Sequence, residues 1–390
     1  MSGRSRSPSP KAGSKKKAVQ WSSHGIQRRN SASPRPAGGR APAAGVSLVG
    51  LLPAALVGLL QSEFTMTLLF AAAAQGITEV AIPDWNTNFR LSEGRTTNLD
   101  LKSLLLNIVG GLLMGIGTAV EECSGCVHLR RAASAFRSGF IGIFTSFAWL
   151  VEFTAVGEGN SPKDWLFWES ALFVVATITA GTAVNFLGYH ATKTLAGRSL
   201  QPDALSGSVL GRDGLVQLSL LLLAVVLGCL HIDDRPLADH LLCGILFATA
   251  AVVVGEHVGA FPHYERHSDV EWATLRCNIL AFALLAYAHV NTAANTWLLA
   301  FFNPLMLGKF KGTFCGALSA FGSTVDDGSR LWRESKHGYA VANTYLNAGA
   351  CIYFLHLLRY AREEATAEMA MTQITLTLAI VIPLSLLPTK

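Results

Sequence analysis

The chain has 390 residues, 51% of them hydrophobic and only 15% charged, where a soluble domain carries about 25% charged residues. Its net charge of +5 is uneven: residues 1–62 hold ten basic side chains and no acid, and the remainder holds 21 basic and 26 acidic ones. Several apolar runs reach roughly 18 residues, enough to cross a bilayer core of about 30 Å as helices, so the expected fold class is all-α and polytopic in the membrane.

Residues 1–44 are rich in Ser, Pro, Lys and Arg. Such a segment buries too little apolar surface to fold, and its charge holds it on the cytoplasmic side of a bilayer. The expectation is a disordered cytoplasmic tail without the h-region of a signal peptide, in a protein that engages the lipid bilayer and no nucleic acid. Residues 45–83 are apolar but interrupted by Pro53 and Glu63. Two readings stay open there: one long span, or an interfacial helix followed by a span. Residues 84–100 read as a polar loop.

Spans follow near 102–120, 136–156, 166–189, 213–231, 239–261, 272–293, 311–328 and 338–359, with a last apolar run at 371–388. Residues 296–307 are short and contain Pro304, which suits a re-entrant or interfacial piece. The pattern divides into a first four-helix repeat (45–199), a linker with a fifth helix (200–237), a second repeat (238–362) and a C-terminal apolar segment (363–390).

The division rests on internal likeness. GFIGIFTSFAWL (139–150) and TFCGALSAFGST (313–324) each place a glycine, Gly142 or Gly316, five residues before a phenylalanine, Phe147 or Phe321. Each also has a hydroxyl residue, Thr145 or Ser319, two before the ring. Asn107 precedes Phe147 by 40 residues and Asn278 precedes Phe321 by 43. One bland helix lies between the two sets, so an odd number of spans separates them and the second set enters the membrane upside down. Inverted repeats place a permeation site near the midplane, where a broken helix must face protein or a water-lined path.

Asn amides, Ser/Thr hydroxyls and aromatic ring edges are donors able to replace an anion's water without a fixed cationic trap. The same residues have plainer readings, as interhelical hydrogen bonds for the asparagines and packing for the rings. The spans show almost no interior Lys or Arg. Glu152 and Asp327 read as vestibule carboxylates at span ends, Glu256-His257 as the one ionisable pair open to burial, and His263, Glu265, His267 and Asp269 as a charged loop. Cys123-Ser-Gly-Cys126 lacks a second CxxC and reads as a loop without metal. No GxxxxGK[ST] phosphate loop occurs, which gives no support to a nucleotide-driven pump.

Taken in order, these motifs resemble the CrcB-type fluoride channels. Asn107-x-x-Gly110-Gly111 is similar to that family's Asn-x-x-Gly-Ser, and the segments 139–150 and 313–324 to its Gly-Phe-x-Gly-Gly-x-Thr-Thr-Phe-Ser-Thr-Phe helix. Trp272-Ala-Thr-Leu-x-x-Asn278 is similar to its Gly-Thr-Leu-x-x-Asn, and Tyr345-Leu-Asn347-Ala-Gly-Ala to the start of its fourth helix. The 4+1+4 plan resembles the fused eukaryotic exporters (FEX proteins), over about residues 45–360.

The resemblance implies a fluoride-selective channel of the plasma membrane, working as a single chain and not an enzyme. It implies a pore lined by Asn107, Asn278, Phe147, Phe321 and Asn347, with hydroxyls from Thr145, Ser146, Ser319, Ser323 and Thr324. It also implies a central structural Na⁺ on the backbone carbonyls of Gly142, Ile143, Gly316 and Ala317. The chain departs from the pattern at Leu150 and Thr324, where the family has a second phenylalanine, and at Ala320, where it has a threonine. The alternatives are a membrane carrier for another small solute and a membrane-embedded enzyme.

Overall fold

The computed structural model describes residues 53–80, 82, 86–90, 96–148, 150–151, 167–199, 212–230, 235–260, 272–293, 302–360 and 364–386. The tail 1–44, Glu152, the Glu256 side chain, the loop with His263 to Asp269 and residues 296–301 lie outside them. Residues 47–390 form one compact unit.

The first apolar stretch resolves into two helices. Pro53 precedes α1 (Ala54–Leu60), the chain turns at Gln61, and α2 runs over Glu63–Val80. Residues 84–100, expected as a plain loop, contain a hairpin instead. Strands β1 (Asn86–Arg90) and β2 (Thr96–Asp100) pair antiparallel with Asn86 opposite Asp100 and Arg90 opposite Thr96. Threonines and an aromatic suit an extended ribbon, and the hydrophobic pattern that marks buried strands is missing, which hid it in the sequence.

Helix α3 (Leu101–Cys123) follows directly. It packs along α6 (Phe167–Ser199) more extensively than any other pair of elements. Glycines let the two backbones touch: a Cβ on Gly115 would fall 2.0 Å from the Asn185 carbonyl oxygen, and one on Gly188 would fall 2.5 Å from that of Leu112. This is the small-residue packing typical of membrane helices.

The remaining described helices are α7 (Arg212–Leu230), α8 (Arg235–Ala260), α9 (Trp272–Ala293), α13 (His337–Tyr360) and α14 (Glu364–Leu386). Among the described residues four helices are long and apolar enough to cross a membrane: α3, and the stretches Phe167–Ala196, Ala238–Gly255 and Trp272–Val290. The chain is thus a mainly helical protein of polytopic membrane character.

The two motif segments, expected among the spans, are not continuous helices. The first is α4 (Val127–Ala135), a π-helical stretch Phe136–Ile141 and one further turn, α5 (Gly142–Phe144). The second is α10 (Pro304–Lys309), a π-helical stretch Phe310–Phe314 and α11 (Cys315–Leu318). Both then break, and helix resumes at Phe147 and at Phe321, where α12 (Phe321–Arg333) begins. Wide turns followed by a break at matched positions set the centre of the molecule.

Candidate functional site

Each break frees backbone groups that must find partners away from water. Thr145 turns extended (φ −108°, ψ 136°), and Ala320 takes a left-handed conformation (φ 24°, ψ 45°) that is costly for a residue with a Cβ. The hydroxyls that precede the rings solve the problem across the pair. Ser319 Oγ accepts the N–H groups of Phe147 and Ala148, both at 2.9 Å, and donates to the Gly316 carbonyl at 2.6 Å. Thr145 Oγ1 accepts the Gly322 N–H at 3.2 Å and donates to the Ile141 carbonyl at 2.9 Å. Ala148 and Gly322 each follow their ring by one residue. Each broken segment therefore caps the resumed helix of the other, as an N-cap residue does within one helix.

Asn107 completes the first break. Its Nδ2 donates to the Ser146 carbonyl at 3.1 Å and its Oδ1 accepts the Ser146 N–H at 2.9 Å. Asn278 works differently. Its Nδ2 donates to Thr324 Oγ1 (2.9 Å) and Asn347 Oδ1 (2.6 Å), while its buried Oδ1 has no partner. Asn347 in turn donates to the Asn343 carbonyl at 2.9 Å. Repeat-matched residues thus brace the break in one half and form a buried amide cluster in the other. The unbraced break is the one with the positive φ.

Phe147 and Phe321, expected with ring edges toward a passing ion, pack on each other. Their centroids lie 5.2 Å apart at 65°, Phe147 also meets Phe282 at 5.5 Å, and both rings are fully buried in the main apolar cluster. Thr145, Ser319, Thr324 and Asn347 are buried as well.

Two cavities flank the breaks. The first, about 420 Å³, is reached by Asn107, Ser146, Ile143, Phe144, Gly316 and Ala317, and carries Gln75, Glu79, Lys102, His240 and Lys309. The second, about 200 Å³, is lined by Gly142, Ala317, Leu318, Ala320 and Ser323, with Arg137 and Thr274. They use matching positions of the two segments. Counted back from the rings, Ile143, Phe144 and Ser146 correspond to Ala317, Leu318 and Ala320; counted back from the asparagines, Ser103 and Leu106 correspond to Thr274 and Cys277. Ala317 lines both cavities, and Gly142 and Ile143 face one each, so the four residues expected around a cation form part of the wall between them.

The resemblance places a cation with oxygen ligands on the backbone carbonyls of those four residues. In a continuous helix the N–H groups of Ser146 and Phe147 would bond the carbonyls of Gly142 and Ile143, but here they bond Asn107 and Ser319. The Gly316 carbonyl accepts the Ser319 hydroxyl and keeps a second lone pair.

The structure also brings together charges that sequence reading passed over. Arg137, inside the π-helical stretch, bonds Glu121 and, at 2.8 Å, Asp326 of α12. Asp326 is buried and further accepts from the Thr118 hydroxyl at 3.0 Å and Asn185 Nδ2 at 3.3 Å. Lys309 pairs with Glu79, which also accepts from Gln75. Arg137 lies at the start of the expected span 136–156, and its side chain is 25% exposed. Its signal was available: a lone arginine in an apolar run, and an aspartate five residues after Phe321. Asp327, read as a vestibule carboxylate, accepts the Thr274 hydroxyl at 2.7 Å.

Compared with known proteins, the chain matches no family model, no curated protein and no solved structure.

Proposed function

We propose that the chain is a passive, fluoride-selective channel built from two inverted repeats of CrcB type, with the two broken segments crossing at its centre. The observation that carries the reading is the reciprocal capping of Phe147–Ala148 by Ser319 and of Gly322 by Thr145. Residue i serving j while j's equivalent serves i's is the contact pattern of two-fold related copies. Broken helices at such an interface are where membrane transport proteins bind their ions.

The cavity at Asn107 and Ser146 is the larger vestibule, and Lys102 and Lys309, the latter paired with Glu79, are the basic groups an anion meets on its wall. The cavity at Ser323 is the smaller one, with Ala320 and Ala273 at the positions that carry Ser146 and Lys102 in its counterpart. Amides and hydroxyls along this route replace part of the ion's hydration, each weakly enough to release it. Carbonyls of Gly142, Ile143, Gly316 and Ala317 would hold a structural Na⁺, whose charge offsets the negative helix ends that meet there. The resting potential, negative inside, drives fluoride outward without an energy source.

The basic tail sets the N-terminus in the cytoplasm of the plasma membrane. The ends of α3, α6 and α12 meet through Tyr189, Glu122 and Arg333. Arg130, Arg131, Lys193, Arg330 and Lys336 lie at or next to those ends in sequence, a bias expected of the cytoplasmic side.

The test is F⁻ efflux from liposomes containing the purified protein, with Cl⁻ as the control. Fast F⁻ efflux without Cl⁻ efflux is expected, abolished by Asn107→Ala. Phe147→Ile and Phe321→Ile then identify the ring that contributes. Absence of F⁻ flux from folded protein overturns the reading in favour of a carrier for another solute.

A further inference from the structure

A third cavity lies away from the breaks, in a groove between α6 and α13. It measures about 650 Å³ and is lined among others by Val175, Ala183, Phe186, Leu187, Val341 and Tyr345, with Trp332 and His337 at one end. Three threonines line it too, but none offers its hydroxyl. Thr179, Thr182 and Thr344 donate to the carbonyls of Val175, Ile178 and Ala340 on their own helices. The wall is therefore methyl groups, methylenes and rings. From Val175 to Leu187 the helix rises about 18 Å, close to the depth of one bilayer leaflet, about 15 Å.

The end near Leu187 is different in chemistry. His190 stacks on Phe186 at 4.2 Å and His337 on Trp332 at 4.4 Å, so each histidine sits on an aromatic of the groove. Beyond them are Lys193, Arg330, Arg333 and Lys336. Glu334 faces both Arg330 (3.4 Å) and Lys336 (3.0 Å), and Glu122 faces Arg333 at 4.0 Å. Lys193 also donates to the Tyr189 hydroxyl at 3.3 Å, so among the described residues four basic side chains gather at this end. The N-terminal end of α13, at His337, adds partial positive charge. Rings of this type at one end of an apolar groove mark the level of lipid headgroups.

We infer that this groove binds one anionic glycerophospholipid, with an acyl chain along α6 and α13 and its phosphate at Lys193, Lys336 and His337. The long apolar half requires a chain, the clustered basic side chains select an anionic headgroup, and the length fits a lipid of the leaflet on that side. The lipid would bridge α6 and α13, which belong to the two proposed repeats.

Trp332 provides the readout. The full chain is placed in phosphatidylcholine vesicles with increasing brominated phosphatidylglycerol or brominated phosphatidylcholine, and the quenching lost on Trp332→Phe is assigned to Trp332. Phosphatidylglycerol is expected to quench at about a fivefold lower mole fraction, the factor for one basic side chain near an anionic surface. Lys193→Gln with Lys336→Gln should remove that preference and leave quenching by both lipids. Ala183→Leu, or Val341→Phe if the first does not fold, should suppress quenching by both. Equal potency of the two lipids overturns the headgroup assignment, and quenching unchanged in folded groove variants overturns the site.

Discussion

Ser319→Ala removes one oxygen that serves three backbone groups. It accepts two N–H donors, from Phe147 and Ala148, at 2.9 Å each, and donates to Gly316, all in a position with no solvent exposure. A buried donor left without a partner costs about 1–3 kcal/mol, so two bound the loss at about 2–6 kcal/mol. Effects within one network are not additive, and the expected loss is about 3 kcal/mol. Thr145→Val strands a single N–H, from Gly322 at 3.2 Å, and should cost about half as much. Ser323→Ala, at an exposed side chain four residues further on, should change stability by less than about 0.5 kcal/mol. Equilibrium unfolding in detergent micelles ranks the three variants. The reasoning fails if Ser319→Ala falls within about 0.5 kcal/mol of the wild type, or if Thr145→Val costs more than Ser319→Ala.

Asn107→Leu removes both side-chain bonds to the Ser146 backbone. It should cost about 2 kcal/mol in the same unfolding assay and abolish anion flux in liposomes. Arg137→Met leaves Asp326 buried without its cation, a loss of about 3 kcal/mol, most of which Arg137→Met with Asp326→Leu should restore; a double-mutant cycle reads the coupling. Gly115→Ala drives a Cβ to 2.0 Å from the Asn185 carbonyl oxygen and should destabilise the α3–α6 seam by about 1–3 kcal/mol, measurable as a lower melting temperature, whereas Gly125→Ala meets nothing within 4 Å and should not.

Much of the plan was legible in the sequence because membrane helices must satisfy their backbone internally and be apolar over a fixed length. That rule exposes α3, α6, α8 and α9 as long apolar runs. It also makes a hydroxyl two residues before a ring, downstream of a glycine, stand out as a break. The hairpin at 86–100 was illegible because its strands carry no alternating apolar pattern in sequence. The charges at Arg137 and Asp326 were visible singly, but their pairing joins residues 189 positions apart, which no local pattern reports.

The sequence by itself determined that this is a helical membrane chain with two matched, hydroxyl-bearing segments, since composition and spacing are one-dimensional properties. Only the tertiary structure decided what the matched residues do. Ser319 serves the other segment's helix and Asn107 serves Ser146, while Asn278 turns to Thr324 and Asn347 and the two rings close on each other. Identical residue types acquire different roles because a freed backbone group takes whichever donor or acceptor packing brings within about 3 Å, and that choice depends on neighbours distant in the chain.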